Sequence, residues 1–385
     1  MKNYARIISC YAADTAGVCS ALYEMGGMIV VHDASGCNST YSTHDEPRWY
    51  DKRSMIYISG LTEIDSVMGN DQRLVDDVCT AAAELDPKFI AICGSPMPMM
   101  TGTDFDAIAR EIQDRSGIKT LALHTDGMHS YTAGASEAFR AAAETFVSQC
   151  PKTKGIGVNI VGATPLDFSV NGSAESIENW LTECGFGISS RIGMGGTLEE
   201  IKNADSARVN LVVSHCGIAA AEYMLSRFGI PYVCGVPIGK KFSARLAESL
   251  WTAAQEGLTL FPCADRKTDS EGLQIIGESV FSGSLAAAIM LEKGKSSRVI
   301  CPLDHDERAA AEGDLTVSAE KGIRSALTEN EIDGVIADPL YKPICPKESR
   351  FFSLPSEAFS GRCFRKSIPD LINRNLKENL KEKDI

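Results

Sequence analysis

Residues 89–124 read FIAICGSPMPMMTGTDFDAIAREIQDRSGIKTLALH. Two short apolar runs, Phe89–Cys93 and Thr120–His124, bracket Asp104–Ser116, where apolar residues recur at helical spacing with charge on the other face. A strand, a crossover helix and a second strand form a βαβ unit, and such a unit lays its strands parallel. The same alternation extends outward on both sides. Met28–His32 (MIVVH) and Met55–Ser59 (MIYIS) read as strands and Asp71–Leu85 as a helix. Beyond the basic stretch Pro151–Gly155 come strand Gly157–Gly162, helix Ala174–Cys184, strand Val209–Ser214, a helix running to Arg227, and strand Ile230–Val233. Past the polar stretch Thr268–Gly272 come strand Leu273–Ile276, helix Gly283–Glu292, strand Arg298–Pro302, a helix over Ala309–Thr328 and strand Gly334–Ala337. Three recurrences predict an α/β fold of three doubly wound Rossmann-like subdomains with mainly parallel sheets. The expected domains are 1–150, 151–267, and 268–385 with a charged tail from Asn373.

The 385 residues are 44% hydrophobic, enough for real cores. Acidic residues outnumber basic ones 51 to 38, a formal charge of -13, which argues against a surface that tracks nucleic acid or an anionic membrane. No run approaches the roughly 20 apolar residues of a spanning helix, and the start lacks the apolar core of a secretory signal. A cytoplasmic protein is expected. Thirteen cysteines in a reducing compartment are no disulfide framework. Metal binding becomes the leading reading, set against the habit of free Cys to pack as a small hydrophobe.

In open parallel sheets, ligands sit beyond the carboxyl ends of strands. Cys37 follows the strand ending at His32, Cys93 ends its own strand, and Cys10 follows the apolar Ile7–Ile8. Three thiolates gathered there would make a soft-ligand site suited to iron–sulfur or zinc, although their spacing matches no zinc-ribbon or ferredoxin pattern.

Several of these segments resemble one family. Val31–Cys37 (VHDASGC) resembles the hydrophobic–His–Gly–x–x–Gly–Cys turn of nitrogenase component 1 subunits. Cys10 with the small-residue run after it resembles that family's first cluster cysteine, and Cys93 with Thr101–Asp104 resembles its third. Gly193–Pro237 resembles the middle domain, while Gly277–Glu278, Ala337–Pro339 and Phe352–Gly361 resemble the last. In order, the segments cover roughly residues 7 to 365.

The resemblance implies an iron–sulfur cluster, 4Fe–4S or 8Fe–7S-like, at a subunit interface, with Cys10, Cys37 and Cys93 as ligands. His32 would stand near it, and Gly36 and Gly102 would let the chain curl about it. It implies a homodimer, or a heterodimer or heterotetramer with a related subunit, fed by an ATP-dependent iron protein. His215 and Cys216 fall on the substrate side, where a helix N-terminus should favour a Cys216 thiolate and His215 could supply protons. The pocket would hold a small-molecule substrate and a second metal cofactor or a tetrapyrrole. Two departures stand out. Asp33 replaces the usual Gly after His32, and the histidine that would help hold the iron–molybdenum cofactor falls on Pro355. Reduction of something other than dinitrogen is therefore expected. The alternative is a scaffold that assembles or transfers a metal cofactor.

Overall fold

The computed structural model describes residues 5–8, 10–34 and 45–376. Its first layer runs α1 (Asp14–Leu22), β1 (Met28–His32), β2 (Met55–Ile58), α2 (Glu63–Met68), α3 (Asp71–Leu85), β3 (Ile90–Gly94), α4 (Pro96–Thr101), α5 (Phe105–Ser116), β4 (Thr120–Leu123) and α6 (Tyr131–Phe146). The strands pair in the order β2-β1-β3-β4, all parallel. Their pleat sorts the side chains: Met28, Val30, Ile90 and Ile92 face α3 and α5, while Ile29, Val31, Ala91 and Cys93 join the core under α1 and α6. Those two helices cross very closely. A Cβ on Gly17 would lie 2.1 Å from the Tyr131 carbonyl oxygen, and one on Gly134 2.0 Å from that of Asp14, so only glycine permits the crossing.

The second sheet contains β5 (Gly157–Ala163), α7 (Pro165–Phe168), α8 (Ser173–Glu183), β6 (Gly187–Gly193), α9 (Leu198–Lys202), β7 (Val209–Val212), α10 (Ile218–Phe228), β8 (Tyr232–Cys234) and α11 (Lys240–Glu256), with strand order β6-β5-β7-β8. The third contains β9 (Leu273–Ile276), α12 (Ser279–Lys293), β10 (Ser297–Cys301), β11 (Leu315–Thr316), α13 (Glu320–Thr328), β12 (Gly334–Ala337), β13 (Arg350–Ser353) and α14 (Glu357–Ser360), ordered β11-β10-β9-β12-β13. Both are parallel throughout. This is the expected α/β architecture. Helix α6 also packs on α10, and α14 on α7, so the three layers share one continuous core. We propose domain boundaries at 150/151 and 267/268, in the connections between sheets.

Local departures have local causes. The helix expected over Ala309–Thr328 is broken. Gly313 takes a φ of 96°, and the Asp314 carboxylate accepts the N–H groups of Val299 and Ala311, both at 2.9 Å, which fixes a turn before β11. Strands β6 and β13 lie at sheet edges, half-exposed, so their sequences carry too little apolar signal to read. Among the described residues, no helix is long and apolar enough to cross a membrane.

Candidate functional site

The carboxyl ends of strands from the second and third sheets meet beside the start of α6, and acids converge there. Asp167, just past β5, receives the Tyr131 hydroxyl on Oδ1 and the Thr164 hydroxyl on Oδ2 at 3.4 Å. Glu278, just past β9, caps α12 by accepting the N–H groups of Val280 (3.0 Å) and Phe281 (2.8 Å). It also accepts the N–H of His215 at 3.0 Å, which ties the second sheet to the third. Asp304, past β10, accepts the hydroxyls of Ser130 and Thr132, each at 3.1 Å. Burial and the Glu278 charge push Asp167 up to about 7, against the lowering pull of the hydroxyls of Tyr131, Ser214 and Thr164. Asp167 thus holds a proton that it can release near neutrality.

His215 and Cys216 form the turn between β7 and α10. The expected thiolate at Cys216 is corrected: burial, reinforced by the Asp167 and Glu278 charges, pushes this thiol well above its ordinary value. The turn is a short 3₁₀ segment ahead of the helix, and desolvation there outweighs any dipole benefit. Burial pushes His215 down while Glu278, Asp304 and Asp306 pull the other way. Its Nδ1 is buried without a hydrogen-bond partner among the described residues.

Cys10 belongs to this same junction. Its Sγ donates to the carbonyls of Ala12 (3.3 Å) and Ala358 (3.4 Å), and burial lifts it to about 12, with smaller contributions from the Asp167 and Asp304 charges. Cys93 faces elsewhere. It is fully buried on the α1 side of β3, beside Cys19 and Asp14, and burial pushes it well above the usual range. Cys37 and Gly36 lie outside the described residues. Among the described residues, only Asp14, Asp126 and His129 bring three ligand atoms within 4.8 Å of one another. The Asp14 group is already satisfied, its carboxylate accepting the N–H groups of Thr15 (2.7 Å), Gly127 (2.9 Å) and Asp126 (3.0 Å), so it clamps the 126–129 loop onto α1.

The other expected residues have structural partners. His32 Nδ1 lies 2.8 Å from the Ser59 hydroxyl, and burial holds the imidazole down. Asp33, the departure from the motif, accepts the Ser95 hydroxyl at 2.8 Å and so links the ends of β1 and β3. Gly102 takes a φ of 76° to cap α4, and a Cβ there would meet nothing within 4 Å.

Between the second and third sheets lies a cavity of about 40 Å³, lined by Asp167, Glu278 and Asp338, by Phe168 and Phe281, and by Pro355. That volume holds about three waters. A tetrapyrrole does not fit unless the walls part.

A family model described as Nitrogenase component 1 type Oxidoreductase matches residues 14–269. The chain belongs to that family. Within it, the chain is 24% identical over 184 residues to the nitrogenase iron-molybdenum cofactor biosynthesis protein NifE of Clostridium pasteurianum, covering 46% of this chain and 38% of that one. It is 25% identical over 206 residues to a subunit of the light-independent protochlorophyllide reductase of Heliobacterium modesticaldum, covering 53% and 39%. The nitrogenase molybdenum-iron protein alpha chain of Methanosarcina barkeri is 23% identical over 195 residues, covering 49% and 36%. The matched regions thus span well under two thirds of those relatives. The solved structure "Nitrogenase Cp1 at pH 6.5" has the same fold, with a TM-score of 0.69 at 15% identity over 98% of this chain and 93% of that one.

Tyr131, Asp167 and Asp304 were not singled out from the sequence, and Glu278 was seen only as part of a motif. A signal existed. Asp167, Glu278 and Asp304 each follow a strand by two to four residues, where ligand-facing groups gather.

Proposed function

We propose that this family member is a nitrogenase-like iron–sulfur oxidoreductase subunit. It accepts low-potential electrons from an ATP-dependent iron protein through a cluster at a subunit interface, and it reduces a small molecule other than dinitrogen. The observation that carries this reading is the junction where the sheets meet, in which Asp167, met by the Tyr131 and Thr164 hydroxyls and pushed up to about 7 by burial, lies at the strand ends with His215 and Cys216. Adding electrons to a substrate requires protons, and a general acid poised near the working pH supplies them best. His215, kept neutral by burial, is suited to pass a proton onward from its free Nδ1. Cys216 packs beside the same acids as a protonated thiol. Pro355 lines the cavity and offers no ligand atom, which supports a substrate other than dinitrogen.

The proposed ligands are Cys10, Cys37 and Cys93, and the partner is a second copy or a related component 1 subunit. A bound cluster would supply one-electron transfer. That part rests on the resemblance of the segments around Cys10, Cys37 and Cys93 to the family's cluster motifs. Iron content is therefore the test. Protein purified without oxygen is expected to contain iron and sulfide and to absorb broadly near ~400 nm, and Cys37→Ala to lose both. Full iron in that variant contradicts the ligand assignment. Asp167→Asn should lower turnover about a hundredfold at unchanged iron content.

The similarity to NifE favours a second reading, a scaffold that holds a metal cofactor and releases it to a partner chain. Turnover with an iron protein and no loss of bound cofactor excludes it.

A further inference from the structure

We propose that the cavity between the second and third sheets binds a small neutral or cationic molecule with a basic or hydrogen-bond-accepting atom, such as an amine or a nitrogen heterocycle, and rejects anions. This names the substrate class of the reduction proposed above and rests on that reading. The wall carries the carboxyl groups of Asp167, Glu278 and Asp338, and no lysine, arginine or histidine. An anion entering it would lose its hydration and meet negative charge without a counter-ion, a steep cost at low dielectric. A cation or a neutral acceptor meets the opposite situation.

The three acids are not equivalent. Asp338 is held as an acceptor by the N–H groups of Leu340 and Ser356, both at 2.9 Å, and Glu278 by those of His215, Val280 and Phe281. Each also accepts a hydroxyl, that of Ser360 on Asp338 (2.7 Å) and that of Ser279 on Glu278 (3.2 Å), so most of their acceptor sites are already taken. Asp167 is met by the hydroxyls of Tyr131 and Thr164, which can turn to donate or accept. With hydroxyls as its partners and, among the described residues, no backbone N–H groups on it, Asp167 is the acid assigned to donate to the ligand. The Phe168 and Phe281 rings add faces that attract cations, and the volume suits roughly a five-membered ring.

Calorimetric titration of the full chain at neutral pH, with imidazole and with acetate as probes of similar size, tests this. Imidazole is expected to bind about tenfold more tightly than acetate or better. Asp167→Asn should shrink that preference to about threefold or less. Leu354→Trp, from a partly buried position on the wall, fills the cavity and leaves all three acids in the sequence, and it should abolish imidazole binding. Acetate binding as tightly as imidazole, no imidazole binding by the native chain, or unchanged imidazole binding by Leu354→Trp overturns the proposal. Because binding is measured without turnover, imidazole preference in iron-free protein would sink the reduction reading alone. Acetate preference in iron-loaded protein would sink the ligand class alone.

Discussion

At the carboxyl end of the first sheet, apolar side chains stand in water: Ile64, Val67 and Met68 on α2 are 75%, 80% and 75% exposed, and Met100 on α4 is 81% exposed. At the junction of the second and third sheets the arrangement is inverted, with Glu278 and Asp338 buried, Asp167 half-buried, and each carboxylate hydrogen-bonded. Both regions lie at strand ends, where parallel sheets place their ligands. The junction is organised by this chain alone. The first end is apolar surface, of the kind that a subunit partner covers in the proposed assembly. The acids of the junction are thus held by hydrogen bonds within the single chain, whereas the apolar end of the first sheet stands exposed.

The largest effect that would sharpen this contrast is at Glu278. Glu278→Ala leaves three N–H donors, one buried and two half-buried, without their acceptor and should cost about 3 kcal/mol in denaturant unfolding. A loss below about 1 kcal/mol would mean that the junction is not the locked unit described. Asp167 comes next. Its folded value near 7 lies above the ordinary carboxylate value, so between about pH 4 and about pH 7 the folded chain holds a proton that the unfolded chain has released. That contribution to stability is complete below the lower limit and is lost as pH rises through the upper one. Asp167→Asn should flatten stability across that window, as followed by thermal unfolding. Cys93→Ala removes a small buried group and should cost about 1 kcal/mol in the iron-free chain, and it should lower iron content as expected of a proposed ligand. Full iron in that variant would remove Cys93 from the proposed ligands. Smallest of all, Val67→Lys on the exposed face should shift stability by no more than about 0.5 kcal/mol.

How far the sequence could be read follows the same contrast. Buried parallel strands announce themselves as short apolar runs, and Met28–His32, Leu273–Ile276 and Gly334–Ala337 fall where those runs stand. The edge strands β6 and β13 carried no such run. Family motifs pointed to cysteines because thiols are rare and easy to notice, yet motif spacing cannot show which way a side chain faces. Cys93 sits on the inward side of the pleat of β3, a matter of one residue of register. The Tyr131–Asp167–Glu278 junction escaped notice because its members lie far apart along the chain and belong to residue types that are usually exposed. Only the packing of three layers brings them together.

The proton on Asp167 links the fold to the proposed reduction, and infrared difference spectroscopy observes it directly. Comparing the native chain with Asp167→Asn from about pH 5 to about pH 8, a protonated-carboxyl band present only in the native chain should disappear as pH rises through about 7. A native spectrum without that band at the acid end, or the same band in Asp167→Asn, would contradict the account.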